Sequence, residues 1–176
     1  MTVFVAFATV EGQTEKIASF VSDEIRAMGR DVSVLDVDQT ASADFNGVKH
    51  VVLAASVHER RHPRSFEAFI TASKEELKAR RTMLLSVSLS AAFPEGMAEA
   101  EDYVVEMNMR TELSPDVTLL VAGAVQEGAY DYYSQQVLKQ VVLKDREFDP
   151  EELSEHEFTD WEAIRSGLRA FLNGDS

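Results

Sequence analysis

Short apolar runs alternate with amphipathic stretches along most of the chain. The apolar runs cover residues 3–8, 31–37, 51–55, 83–89 and 117–125, and each has the length of one strand. Between them, apolar residues recur at helical spacing, as at Ile17, Val21 and Ile25. Strands that are apolar throughout and separated by helices are typical of a parallel sheet covered by helices on both faces. The pattern therefore predicts an α/β fold.

The boundaries of the helices follow from proline, glycine and capping residues. The predicted helices cover residues 17–28, 63–77, 94–109 and 130–143, followed after an acidic stretch (144–157) by a last helix that Thr159 or Asp160 caps. We find no internal repeat, linker or low-complexity tract in the sequence. We therefore expect residues 1–176 to form a single domain.

The first strand runs directly into a loop rich in hydroxyl groups. This loop consists of Thr9, Val10, Glu11, Gly12, Gln13 and Thr14. A helix start presents unpaired amides and the positive end of the helix dipole to an anion, and Gly12 lets a ligand approach the backbone. No Lys or Arg lies between Met1 and Glu15, so dipoles rather than ion pairs would hold a phosphate monoester. The simpler alternative is that Thr9 or Thr14 only caps the helix.

The loop matches neither the P-loop nor the dinucleotide-binding fingerprint, because G-x-x-x-x-G-K-[ST] and G-x-G-x-x-G are both absent. It resembles the FMN-phosphate loop of flavodoxins, whose pattern [ST]-x-x-G-x-T directly follows the first strand. Five βα units leave two doubly wound strand orders open. The resemblance implies the flavodoxin-like order 2-1-3-4-5, with FMN at the carboxyl ends of the strands where the order reverses.

In that order, two more strand ends meet the first loop. After the third strand, Ala55, Ser56, Val57 and His58 are expected to lie against the flavin ring. After the fourth strand, hydroxyl and amide donors for the pyrimidine edge of the flavin are expected from Ser86, Val87, Ser88, Leu89 and Ser90, and ordinary turn chemistry at the strand end is the alternative. After the fifth strand, an aromatic ring from Tyr130, Tyr132 or Tyr133 is expected to cover the flavin ring or a planar substrate, and helical packing is the alternative for Tyr132 and Tyr133.

The loop after the third strand also holds a concentration of basic residues in an otherwise acidic sequence. It contains His58, Arg60, Arg61 and His62. These side chains are candidates to receive the carboxylates of a substrate or to stabilise an anionic reduced flavin. The alternative is a solvated loop that neutralises nearby acids.

Several further segments resemble one branch of the flavodoxin-domain family, the branch that includes menaquinone-dependent protoporphyrinogen IX dehydrogenase. They are residues 9–19, 55–57, 86–89, 94–95, 122–124 and 158–162, together with the tyrosine-rich segment. The resemblance implies an oxidoreductase of heme biosynthesis that passes electrons from a porphyrinogen through FMN to a quinone. One segment departs from this branch, because residues 93–102 are acidic where that enzyme has a long basic insertion. A flavodoxin-type electron carrier that docks to protein partners, and a cofactor-free interaction module, remain as alternatives.

Composition narrows the chemistry further. The 176 residues include no cysteine, and the four histidines have no metal-ligand spacing, so we expect no metal site and redox chemistry from a bound organic cofactor. The net charge of −14 disfavours nucleic acid and suits either docking to a basic partner or solubility alone. No signal peptide or membrane-spanning run is found, so a cytoplasmic location is expected, with peripheral association at the inner membrane implied by the resemblance. The oligomeric state stays open.

Overall fold

Five parallel strands form one sheet in the order β2-β1-β3-β4-β5. The computed structural model describes residues 2–10, 12–39, 42–124 and 157–174. The strands are β1 (Thr2–Ala8), β2 (Asp31–Asp36), β3 (Val48–Ser56), β4 (Arg81–Ser88) and β5 (Val117–Ala122). Since β2 and β3 lie on opposite sides of β1, the strand order reverses at β1. The predicted flavodoxin-like topology is confirmed.

Helices cover both faces of the sheet, as the apolar strands predict. They are α1 (Gln13–Ala27), α2 (Arg64–Ala72), α3 (Lys74–Lys78), α4 (Met97–Thr111) and α5 (Trp161–Asn173). Ile17 of α1 and Leu168 of α5 pack in one core cluster with strand residues such as Val52. Phe66 of α2 and Met107 of α4 pack in a second cluster, on the other face. Successive strand residues alternate between the two clusters, which explains why the central strands are largely apolar.

Most element ends differ by a few residues from the sequence expectation, and three of these differences reflect local backbone geometry. The predicted helix 63–77 is broken at Ser73, whose φ of −101° and ψ of 14° leave the helical region and separate α2 from α3. The predicted helix 94–109 begins with a 3₁₀ turn, Pro94–Gly96, and becomes regular only from Met97. The fourth strand ends at Ser88 rather than Leu89, because Leu89 already has helical dihedral angles before the 3₁₀ turn Ser90–Ala92.

Several expectations fall on positions that lie outside the described residues. These are Glu11, Val125 at the predicted end of the fifth strand, the helix 130–143 with its three tyrosines, and the acidic stretch up to residue 156. Among the described residues, no helix is long and apolar enough to cross a membrane. The same residues contain no cluster of His, Cys, Asp and Glu that could hold a metal ion.

Candidate functional site

The turn from β1 into α1 leaves the start of the helix without a side-chain cap. Gly12 is the N-cap residue, with a φ of 95° and a ψ of −17°, and no side chain of the described residues hydrogen-bonds to the first helical amides. Thr9 instead closes the loop, since its Oγ1 accepts the Gly12 N–H at 2.8 Å. The interpretation of Thr9 or Thr14 as a simple helix cap is therefore wrong. The first-turn amides of α1 remain available to a ligand.

Space for that ligand lies next to Gly12. A Cβ placed on Gly12 would meet no described protein atom within 4 Å. The positive φ requires glycine at this position for backbone reasons, and the open space permits close approach of a ligand to the loop. Val10, in the same loop, is 53% exposed to solvent.

Two buried hydroxyl groups near this loop have no hydrogen-bond partner among the described residues. Thr14 is fully buried in the first turn of α1, and its Oγ1 makes no hydrogen bond there. Ser56 ends β3, and its buried Oγ is in the same situation. Ser56 shares its sheet face with Ala54, which packs in the core cluster of Ile17 on α1. A buried hydroxyl without a partner carries a desolvation cost of about 1–3 kcal/mol, and a polar ligand relieves that cost.

The loop after β3 is a tight reverse turn. The N–H of His58 donates to the Arg61 carbonyl at 2.9 Å, and the N–H of Arg61 donates to the His58 carbonyl at 3.2 Å. The two central residues, Glu59 and Arg60, both have positive φ, at 51° and 66°. This is the geometry of a type I′ turn, which normally prefers Asn and Gly. The backbone therefore stores strain at the position where the sequence predicts substrate contacts.

The turn directs Arg60 towards the acidic segment that follows β4. The Arg60 guanidinium lies 2.8 Å from the Glu99 carboxylate and stands over the Tyr103 ring at 5.7 Å from its centroid. The Arg60 side chain remains 64% exposed. The basic loop and the acidic segment 93–102 are separate in the sequence. In the structure, the contacts of Arg60 join them between the β3–α2 loop and α4.

Arg61 pairs instead with the buried carboxylate of Glu67, which Arg110 also contacts. Glu67 of α2 accepts from Arg61 Nε at 2.7 Å and from Arg110 Nε at 2.6 Å, while its own side chain is only 8% exposed. Burial opposes the ionisation of Glu67, but the hydrogen bonds from Arg110 and Arg61 outweigh it and hold the pKa of Glu67 below its usual value. This carboxylate fixes the β3–α2 loop and α4 to α2.

His62 is buried beside β4 and stays neutral. It is 1% exposed, and its Nε2 lies 2.8 Å from the Ser86 Oγ. Burial lowers the pKa of His62 to about 4, against the attraction of Glu67. Ser88 is also engaged, since its Oγ accepts the Ala91 N–H at 3.2 Å. The predicted serine donors of β4 thus have protein partners, and they lie on the face opposite Thr14 and Ser56.

One segment of the site was predicted only in part. Residues 157–161, which we call the C-terminal brace, lie beside the start of α1, where Thr159 Oγ1 accepts from Gln13 Nε2 at 2.9 Å. Asp160 caps α5 as predicted, because its Oδ1 accepts the Ala163 N–H at 3.0 Å. The contact between Gln13 and Thr159 spans most of the chain, and no local pattern in the sequence reveals it.

Comparisons with known proteins agree with the fold. Residues 4–150 match the flavodoxin domain family. A protoporphyrinogen IX dehydrogenase (quinone) of Escherichia coli (strain K12) is 25% identical over 170 residues, which cover 96% of this chain and 93% of that protein. Among solved structures, oxidised flavodoxin 1 from Bacillus cereus aligns with a TM-score of 0.58 at 17% identity, covering 98% of this chain and 97% of that one. Fusobacterium nucleatum flavodoxin bound to flavin mononucleotide aligns with a TM-score of 0.53 at 9% identity, covering 99% and 96%.

Proposed function

The chain belongs to the flavodoxin domain family, and from that premise we propose that it is a redox protein that binds FMN without a covalent bond. The phosphate would lie on the uncapped start of α1, between Gly12 and Thr14. The observation that carries this proposal is the buried Thr14 hydroxyl, which has no partner among the described residues although it stands in the first turn of a helix. A phosphate oxygen supplies the missing acceptor.

The remaining features of the loop fit the same ligand. The open space at Gly12 admits a phosphate against the backbone, and Thr9 keeps the loop closed around it. Ser56, at the neighbouring strand end, offers a second buried hydroxyl on the same face of the sheet. Bound FMN supplies the electron transfer, so the protein residues need only bind the cofactor, orient it and limit its exposure to water.

Titration with FMN and with riboflavin tests this proposal. Wild-type protein should bind FMN much more tightly than riboflavin, because only FMN carries the phosphate that the loop would hold. Gly12→Val should abolish FMN binding by filling the space beside the loop. Gly29→Val is the matched control, because Gly29 has a similar φ of 76° and similarly open surroundings but lies at the other end of α1. Equal affinity of wild-type protein for FMN and riboflavin would contradict the proposal.

For the reaction, we propose oxidation of a porphyrinogen of the protoporphyrinogen IX type, with a quinone as electron acceptor. Electrons leave the porphyrinogen two at a time, together with two protons. Each quinone takes up two electrons and two protons and becomes a quinol. Support comes from the name of the Escherichia coli relative, which aligns over almost its whole length. Arg60 is the best-placed cation for a substrate carboxylate, because an exposed ion pair such as Arg60–Glu99 contributes only about 0–1 kcal/mol and can yield to another partner.

Turnover assays with protoporphyrinogen and a menaquinone analogue test the substrate. Arg60→Ala should raise the KM for the porphyrinogen about tenfold while leaving the FMN content unchanged. Arg61 has a structural partner in Glu67, so its replacement also affects folding and is less informative. Arg26→Ala removes a comparably exposed arginine from α1 and should leave the KM unchanged. An unchanged KM in Arg60→Ala would remove this residue from substrate binding.

A flavodoxin-type electron carrier is the second candidate, and the net charge of −14 favours it. An acidic surface accelerates association with a basic protein partner, and salt screens that attraction beyond about 8–10 Å. A carrier should turn over no porphyrinogen with any quinone and should reduce or oxidise a basic partner at a rate that falls steeply with salt. A salt-independent rate would leave solubility as the role of the charge.

A further inference from the structure

The C-terminal brace is fixed to the chain that follows β5. The N–H of Phe158 donates to the Gly123 carbonyl at 3.0 Å, and Glu157 forms an antiparallel bridge with Ala124. The Phe158 ring also contacts the Phe93 ring at 5.6 Å between centroids. These contacts hold residues 157–161 at the edge of the sheet where the strands end, next to the first turn of α1.

The Thr159 hydroxyl joins two elements with a single group. It accepts from Gln13 Nε2 at 2.9 Å and donates to the Ala122 carbonyl at 2.7 Å. Gln13 is the first residue of α1 and lies between Gly12 and Thr14, the two residues that the proposed function assigns to the phosphate. Ala122 is the last residue of β5. The start of α1 is therefore connected to the rigid sheet through one hydroxyl group.

Glu157 and Trp161 add a second connection. The Glu157 carboxylate lies 2.5 Å from Lys16 Nζ and accepts from Trp161 Nε1 at 2.6 Å. The hydrogen bond from Lys16 holds the pKa of Glu157 below its usual value, and those from Trp161 and Gln13 act in the same direction. The Trp161 ring packs on Phe20 at 4.8 Å between centroids. The brace thus contacts α1 at its first residue, one turn later, and one further turn along.

We propose that Thr159 is a positioning residue that holds the start of α1 in the orientation in which Gly12 and Thr14 bind the phosphate of FMN. The inference rests on the proposed function. Its physical basis is preorganisation: an uncapped helix start frays unless another contact fixes it, and a fixed set of amides binds an anion without a further ordering cost. The nearest capping side chain, Thr9, closes the loop and does not hold the helix.

Binding constants for FMN and riboflavin test the proposal. Thr159→Val removes both hydrogen bonds of the hydroxyl and should weaken FMN binding about tenfold, the scale of one lost hydrogen bond, with riboflavin affinity unchanged. Thr159→Ser keeps the hydroxyl and should restore FMN affinity. Thr71→Val is the matched control, because it removes a threonine hydroxyl whose hydrogen bond among the described residues lies within α2, to the Glu67 carbonyl. An equal loss of affinity for FMN and riboflavin, or no loss, would overturn the inference.

A double-mutant cycle shows whether Thr159 acts through Gln13. If it does, Gln13→Met and Thr159→Val should each weaken FMN binding, and the double variant should lose little more than either single variant. Additive losses would overturn the proposed path. In the cofactor-free protein, the Lys16 amide, which donates to the Gly12 carbonyl at 3.2 Å, should exchange faster with solvent in Thr159→Val. Failure of wild-type protein to bind FMN overturns the proposed function and this inference together, whereas FMN binding that Thr159→Val leaves intact overturns this inference alone.

Discussion

Replacement of Thr14 by valine should change stability and ligand affinity in opposite directions. Valine has nearly the shape of threonine and a similar helix propensity, so the first turn of α1 keeps its packing. The substitution removes a buried hydroxyl that has no partner among the described residues. Because such a group costs about 1–3 kcal/mol of desolvation, the cofactor-free variant should be more stable than wild type by about 1 kcal/mol. For a chain of this size, that corresponds to a rise in melting temperature of about 2–4 °C.

The same substitution should weaken FMN binding. A hydrogen bond to a charged group contributes about 1.5–3 kcal/mol, so the dissociation constant for FMN should rise about ten- to a hundredfold. Riboflavin has no phosphate, and its affinity should not change. Thermal unfolding of the cofactor-free protein and fluorescence titration with both flavins provide the two measurements.

Thr111→Val separates a ligand-binding hydroxyl from a structural one. Thr111 is also buried, but its hydroxyl donates to the Met107 carbonyl at 2.8 Å and accepts the Leu113 N–H at 3.3 Å. This control should lose about 1 kcal/mol of stability and bind FMN as wild type does. If Thr14→Val instead destabilises the cofactor-free protein and leaves FMN affinity intact, the Thr14 hydroxyl is structural, and the reasoning that places the phosphate there fails.

Three further predictions concern the β3–α2 loop and its partners. The pKa of His62 falls from 6.5 to about 4 on folding. The free energy of unfolding should therefore decrease by up to about 3 kcal/mol as the pH falls from 6.5 to 4. Urea denaturation of His62→Gln should show a much weaker decrease in that range. Glu59→Gly should leave stability unchanged or raise it by up to about 1 kcal/mol, because glycine adopts the positive φ at this position without strain. Glu101→Gly in α4 should lower stability by about 1 kcal/mol. Equal losses in the two variants would refute the strain argument. Glu67→Gln should lower the free energy of unfolding by about 2 kcal/mol, and Glu162→Gln, at an exposed ion pair, should lower it by much less. A small effect at Glu67 would mean that water replaces the carboxylate as the partner of its two arginines.

The fold could be predicted from the sequence because its signals are local and repeated. Each strand is a short apolar run, which indicates the α/β class, and the resemblance of the Gly12 loop to the FMN-phosphate loop of flavodoxins implies the strand order. Gly12 and Thr14 were identified by the same local motif, although their use as ligand contacts stays a prediction. The boundaries at Ser73 and Met97 were missed because the helical spacing of apolar residues continues through them. The regular α-helical backbone geometry is interrupted there.

Two contacts around the basic loop could not be predicted because they join parts of the chain that are distant in sequence. The sequence shows two adjacent arginines but not that Arg60 meets Glu99, or that Arg110 reaches the same carboxylate as Arg61. The role of Thr159 was hidden for the same reason: a threonine ahead of a helix predicts a cap, and here Asp160 caps the helix while Thr159 contacts Gln13. Side-chain chemistry at short range is visible in a sequence, but pairing across the fold is not.

The pairing of Lys16 with Glu157 also affects how quickly a phosphate ligand reaches the site. Lys16 is the first basic residue of the sequence, and its charge is paired with Glu157 of the brace. The whole chain carries a net charge of −14. If FMN binds as proposed, its phosphate, with a charge of about −1.5 to −2, would approach through a repulsive field and would be held by dipoles that act only at short range. We expect slow cofactor loading that salt accelerates, and tight binding that resides in a low dissociation rate. Once formed, such a holoprotein exchanges its cofactor rarely, so the amount of active protein in a cell would depend on when loading occurs rather than on the flavin concentration at a later moment.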